Sequence, residues 1–344
     1  MSMKKWLPFM IAAGVVLGLL SYWFHTRTYQ ASEVVEMLPP DRAAYVFVDL
    51  DMLRAADLLD QIAGSPALES EEYKSFVNAT GFNYRTDLDA VAIAFRDGDN
   101  YFVAQGRFDW GKISSYAQVS GGACVNDQCQ VPGSVPGRTV SFYMPRADIL
   151  AIASSRNQLA NAMISPGTWE NSPKIPEGSV LWALTPPFTF TELEDELPSG
   201  TRSYITPLKD SEGATFSLGP SEDLQSFVLR MEVKWPDEAA AKKAADDLTA
   251  DTKLLNSMIA RENMTPNPAD LSGVLSKGTF TVEDTNMVGT WPIERALFDN
   301  LFGPTGLVEQ EVESELQTGE PGANESGKEA ASGKDASEGS KNGK

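Results

Sequence analysis

The sequence has one histidine, His25, and two cysteines, Cys124 and Cys129. A single histidine beside the N-terminal apolar run rules out Ser-His-Asp or Cys-His catalysis and a histidine metal site in the remaining chain. Two cysteines cannot build a Cys₄ zinc site. P-loop, dinucleotide-binding glycine and G-x-S-x-G patterns are also missing from the sequence. We therefore predict no catalytic residues, no metal and no cofactor.

Basic residues are scarce. The chain has 28 Lys and Arg against 48 Asp and Glu, which gives a formal net charge of −20. An acidic surface of this kind repels phosphate backbones and anionic headgroups, so it argues against nucleic acid binding and peripheral lipid binding. We interpret the excess as a solvated acidic surface.

An apolar run without charges extends from Leu7 to Phe24, directly after Lys4 and Lys5. Its length and the preceding charges predict an uncleaved single-pass transmembrane anchor, with the N-terminus in the cytosol and the bulk of the chain in the periplasm or outside. A cleaved signal peptide is the alternative, but the run exceeds its usual length and no small-x-small cleavage site follows. Gly14 and Gly18 form a G-x-x-x-G pair, so they are a candidate helix-packing face for a homodimer.

Strand and helix patterns follow one another in the same order twice. Each half reads strand, helix, strand, strand, helix, strand, strand, helix, apart from an extra short helix in the first half. This order predicts an α+β fold of two similar halves, each an antiparallel sheet with helices on one face. The predicted boundaries are 1–30 for the cytosolic N-terminus and anchor, 31–164 and 179–304 for the halves, 165–178 for a linker, and 305–344 for a disordered acidic tail.

Cys124 and Cys129 bracket four residues of a glycine-rich loop. In an oxidising compartment this spacing favours a local disulfide, which would contribute about 2 kcal/mol in the loop-entropy treatment. Free thiols and a redox-active pair remain alternatives. The spacing is not the C-x-x-C of thiol oxidoreductases.

The strongest chemical motif is Asp49-Leu50-Asp51, directly after an apolar strand. In phosphatases of the haloacid dehalogenase type, and in many glycosyltransferases, an Asp-x-Asp at this place works with a metal ion. Here Leu53 replaces the expected Thr or Val, and no nucleotide-binding unit fits before Asp49. The other interpretation is that Asp49 or Asp51 caps the helix that begins there.

The segment Met37-Leu38-Pro39-Pro40-Asp41-Arg42-Ala43-Ala44-Tyr45-Val46-Phe47-Val48-Asp49-Leu50 resembles an uncharacterised class of bacterial envelope proteins. In that class an N-terminal anchor is followed by Leu-Pro-x-Asp and an apolar strand. The resemblance covers about 20 residues and implies an exported, membrane-tethered bacterial protein, with no catalytic residues to carry over.

The function predicted from the whole sequence is a non-enzymatic interaction or scaffold module that binds another envelope protein. Two alternatives stay open. One is a metal-dependent phosphotransferase or hydrolase that uses Asp49 and Asp51. The other is a carrier of a small molecule or lipid in a pocket between the halves.

Overall fold

The computed structural model describes residues 31–40, 43–64, 69–167, 169, 173–187, 189–190, 199–222 and 226–302. The run Leu7–Phe24, the pair Gly14 and Gly18, and the tail 305–344 lie outside these residues, as does part of the 165–178 stretch.

Within these residues, twelve strands form one antiparallel sheet. In chain order the strands are β1 (Ala44–Asp49), β2 (Leu88–Arg96), β3 (Asp99–Gly106), β4 (Ala123–Val125), β5 (Gln128–Pro132), β6 (Thr139–Arg146), β7 (Ile149–Ser155), β8 (Leu181–Thr185), β9 (Ala214–Pro220), β10 (Phe227–Lys234), β11 (Thr279–Glu283) and β12 (Asn286–Ile293). Across the sheet their order is β11-β12-β10-β9-β8-β1-β2-β3-β7-β6-β5-β4.

The strand order repeats on either side of the β1–β8 pair. Moving outward, one side reads β1-β2-β3-β7-β6 and the other reads β8-β9-β10-β12-β11, and β4–β5 extends the first side. The pairing of β1 with β8 is symmetric about Val46 and Ala183, because Phe47 pairs with Trp182 and Tyr45 with Leu184. A pseudo-twofold axis through the Val46–Ala183 pair therefore relates the two sides.

Helices in the described part of the chain precede, separate and follow the strands, and several begin at a side-chain cap. They are α1 (Ala31–Val35), α2 (Leu50–Ala55), α3 (Leu59–Ala63), α4 (Glu71–Thr80), α5 (Tyr84–Asp87), α6 (Trp110–Val119), α7 (Ser199–Ile205), α8 (Glu238–Arg261), α9 (Leu271–Leu275) and α10 (Arg295–Phe302), with 3₁₀ turns at Ala160–Met163 and Thr206–Leu208. The carboxylates of Asp109 and Asp237 accept backbone N–H groups in the first turns of α6 and α8, which satisfies donors that a helix leaves free.

The sheet has two faces, which we call the back face and the front face. Val46 and Val48 lie on the back face, and Tyr45 and Phe47 lie on the front face, because successive strand residues alternate. Helices cover the back face on both sides of the axis: α2, α8 and α10 contribute to one apolar cluster with strands β9, β10 and β12, and α6 to another with β3, β6 and β7.

The front face is covered on one side only. Over the first half, α1, the 3₁₀ turn Ala160–Met163 and the chain after it form a third layer in a single apolar cluster. This layer lies on small side chains, among them Ala90, Ala92 and Ala94, all of which are fully buried. Over β9 to β12, no described helix packs on the front face.

The side chains of the two halves reflect this difference. The strand registers show which residues are equivalent about the pseudo-twofold axis. Ala92 is equivalent to Thr215, Ala94 to Ser217, and Val103 to Glu232. At these three positions the residues under the third layer are apolar and their counterparts are polar, whereas Val288, the counterpart of Ala151, is apolar and buried. Polar residues at such positions are expected where an antiparallel sheet has a solvated face.

The predicted fold class needs two corrections. The halves are not separate sheets with helices on one face, because β1 and β8 join them into one continuous sheet and the first half is covered on both faces. The second correction concerns the predicted transmembrane helix: no helix in the described part of the chain has the length and apolar character to cross a membrane. The α+β class itself agrees with the structure.

Candidate functional site

A groove opens on the front face, where the third layer of the first half ends. It consists of two adjoining cavities of about 470 and 400 Å³, which share Thr215 and Glu232. We call it the sheet groove. Its lining includes Tyr45 and Trp169 from the first half and the connection, the prolines Pro173 and Pro176, and the strand residues Trp182, Leu184, Thr215, Ser217, Glu232 and Lys234.

Adjacent strands place the floor residues side by side. Thr215 pairs with Leu184 on one neighbour and Glu232 on the other, while Ser217 pairs with Trp182. Hydroxyl, carboxylate and apolar groups therefore alternate across the floor. Cross-strand neighbours of this kind stand about 4.5–5.5 Å apart, so one extended ligand can touch several of them.

Trp169 and Tyr45 form the aromatic wall. Their ring centroids are 4.8 Å apart in an edge-to-face contact, an arrangement that aromatic pairs favour. The Trp169 Nε1–H donates to the Leu38 carbonyl at 2.7 Å, and the Tyr45 hydroxyl donates to the Pro39 carbonyl at 2.8 Å. Both rings are thus fixed before any ligand binds.

Two ion pairs lie at the groove, and Lys174 also lines its smaller cavity. Lys234 Nζ lies 2.7 Å from a Glu212 carboxylate oxygen, and Arg230 Nε lies 2.7 Å from Glu232. Both pairs are about half exposed, so each contributes little to stability and can rearrange at low cost. The groove therefore presents balanced charge.

Two features of the backbone and core adjoin the groove. Gly213 has φ +125°, and a Cβ there would lie 2.8 Å from the Thr185 carbonyl oxygen, so the lining needs glycine at this point. Trp182 is fully buried, and its Nε1 has no hydrogen-bond partner among the described residues, as is also true of Trp235 and Trp291. A buried donor without an acceptor costs about 1–3 kcal/mol.

The Asp-x-Asp motif lies away from the groove and serves α2. The Asp49 carboxylate accepts the Met52 backbone N–H at 2.8 Å, as expected of an N-cap, and Asp51 pairs with Arg54 on the same helix. Burial raises the pKa of the Asp49 carboxyl, and burial followed by the nearby Asp51 charge raises the pKa of Asp89. In the described part of the chain, no three His, Cys, Asp or Glu side chains form a group that could hold a metal ion.

Cys124 and Cys129 are directly opposed on β4 and β5 and are joined by a disulfide. Cys129 is fully buried in the cluster beneath α6, next to Phe142 and Ala117. Asn126 and Asp127, at the turn of this hairpin, have φ values of 49° and 60°. The disulfide therefore ties the shortest edge strand to the sheet.

The sequence raised a pocket between the halves as one alternative, but the residues that line the sheet groove could not be named from it. The groove lining comes from positions as distant as Tyr45 and Glu232, and only the pairing of β1 with β8 brings them together. One signal was present: Arg230, Glu232 and Lys234 alternate with Met231 and Val233, which is typical of a strand with one solvated face.

Comparison with known proteins gives a distant likeness in fold. No family model matches the chain, and no curated protein matches it. Among solved structures, crystal form I of TP0453 is 11% identical, with a TM-score of 0.43, over 78% of this chain and 98% of that one. Crystal form III of TP0453 is 10% identical, with a TM-score of 0.42, over 77% of this chain and 96% of that one.

Proposed function

We propose that this chain is a non-enzymatic interaction protein of the bacterial envelope, and that the sheet groove binds an extended segment of another envelope protein. The observation that carries this proposal is the difference between the two halves. The front face is covered by the chain's own third layer over the first half, and the groove lies where that layer ends.

The chemistry of the groove favours a neutral polypeptide of mixed polarity. Trp169 and Leu184 supply apolar contact, and Thr215 and Ser217 supply hydroxyl groups. The charges of the lining balance, so they do not select a strongly charged ligand. A polypeptide with small polar and apolar side chains matches this lining.

A location outside the cytoplasm is supported by the Cys124–Cys129 disulfide. Structural disulfides form and persist in oxidising compartments and are rare in the bacterial cytosol. The resemblance of the Met37–Leu50 segment to envelope proteins is in keeping with the same location.

A small-molecule carrier is the second candidate. The larger cavity, about 470 Å³, falls within the range of small-molecule pockets, and it lies between the first half and strands β8 to β10. The third possibility, a metal-dependent phosphotransferase or hydrolase, has less support because Asp49 and Asp51 are engaged by α2.

Site-specific photocrosslinking in the native host tests the proposal. A photoreactive residue placed at Ser217 on the groove floor should give an adduct with one defined protein. The matched control is Thr290, on the same face of β12 and outside the groove lining, and it should not give that adduct.

Equal adducts from both positions, or none from Ser217, would contradict a partner in the groove. Native mass spectrometry of the purified full chain distinguishes the second candidate. A bound small molecule that disappears in Thr215→Arg would favour the carrier.

A further inference from the structure

The two edges of the sheet differ in how they are protected. The edge strand β4 has three residues and is tied to β5 by the disulfide. The edge strand β11, Thr279–Glu283, has five residues in unbroken register with β12. Very short strands, prolines, bulges and charged side chains are the usual protection of an edge; β11 has no proline or bulge, and its one charge is Glu283 at the end of the strand.

The side chains of β11 are divided cleanly between the two faces. Phe280 and Val282 lie on the back face and pack against the cluster beneath α8, whereas Thr279, Thr281 and Glu283 are exposed on the front face. The outer backbone groups of β11 pair with no described strand. Such an edge can accept another strand through main-chain hydrogen bonds.

We propose that β11 pairs antiparallel with β11 of a second copy of this chain, about a twofold axis at Thr281. This proposal is independent of the sheet groove. In this register Thr281 lies opposite its own copy, Phe280 opposite Val282, and Thr279 opposite Glu283.

The sequence around the strand is self-complementary in that register. Threonine pairs with threonine and an aromatic residue with a β-branched one, both of which are favourable cross-strand pairs. No like charges lie opposite each other, because Glu283, the one charged residue of β11, lies opposite Thr279 of the second copy. A second copy therefore fits this edge without a charge clash.

Pairing over five residues gives a small interface. A stable complex commonly buries about 1,200–2,000 Å², so this dimer is expected to be weak, with a Kd in the micromolar range. It would extend the sheet without a break from one copy to the next, in the manner in which β1 and β8 already join the two halves.

Two opposite substitutions at the axis test the pairing. Thr281→Lys and Thr281→Glu each place like charges opposite each other in a homodimer, and each should weaken the dimer by tenfold or more. An equal mixture of the two variants should restore association as a heterodimer. Thr290→Lys, one strand inward on the same face, is the control and should dimerise like the unchanged chain.

The measurement is sedimentation velocity of the full chain over a range of concentrations, in mild detergent because of the apolar run Leu7–Phe24. The heterodimer separates edge pairing from any association through Gly14 and Gly18, which the variants leave intact. The proposal is overturned if the unchanged chain stays monomeric up to about 100 μM. Variants that dimerise unchanged, or a mixture that associates no better than its components, would overturn it as well.

Discussion

A matched pair of substitutions tests the difference between the covered and the uncovered halves of the front face. Ala92 and Thr215 occupy equivalent places about the pseudo-twofold axis, opposite Phe47 and Leu184 respectively. Ala92 is fully buried beneath the third layer, whereas Thr215 is partly exposed in the groove. The same change, to lysine, therefore meets two different environments.

Ala92→Lys places an ammonium group without a partner in the apolar cluster that includes Phe47 and Val103. An uncompensated buried charge costs about 3–5 kcal/mol, a large part of the ~5–15 kcal/mol that stabilises a typical domain. Thr215→Lys puts its charge beside Glu232 in solvent, so a change of about 0.5 kcal/mol or less is expected.

Urea denaturation followed by circular dichroism measures both changes in the free energy of unfolding. Ala92→Met is the volume control, because it adds a side chain of similar length without charge and should cost about 1–3 kcal/mol through overpacking. If Thr215→Lys destabilises the chain as much as Ala92→Lys does, the front face of the second half is covered in the native protein, and the inferred asymmetry is wrong.

Three further predictions concern single contacts. Burial raises the pKa of Asp49 in the folded chain, so the free energy of unfolding falls as pH rises through that pKa. The variant Asp49→Asn can still cap α2, and it should raise the urea midpoint at pH 7 and leave it unchanged below pH ~3. Replacing Cys124 and Cys129 by alanine should cost about 2 kcal/mol without reductant through the lost cross-link, and dithiothreitol should narrow the difference from the unchanged chain to the cost of removing the buried Cys129 sulfur. Arg85→Met removes the ion pairs to Asp60 and Glu69, and the mostly buried Glu69 carboxylate then lacks its cation. We expect the free energy of unfolding, measured by heat or urea, to fall by about 3 kcal/mol. A fall below about 1 kcal/mol would show that the pairs are not important.

Local signals predicted much of the secondary structure. The hairpin of β2 and β3 could be predicted because Asp97 and Gly98 form a turn, and both have positive φ in the structure, at 50° and 79°. The cap at Asp49 could be predicted because a carboxylate at the end of a strand meets the free N–H groups of a following helix.

The union of the halves could not be predicted from local signals. It depends on β1 and β8, whose paired residues Val46 and Ala183 are far apart in the chain, and nothing in either strand specifies its partner. The lining of the sheet groove follows from this pairing, so its residues could not be named from the sequence either. The alanines at 90, 92 and 94 did carry information, because a strand with small residues on one face and apolar ones on the other is suited to burial on both.

The most direct test of the sheet groove as a binding site is the yield of the Ser217 photocrosslink in two backgrounds. Thr215→Arg fills the groove, whereas Thr290→Arg adds the same charge on the same face outside it. We predict that the adduct disappears with Thr215→Arg and persists with Thr290→Arg. An adduct of equal yield in both backgrounds would contradict binding in the groove.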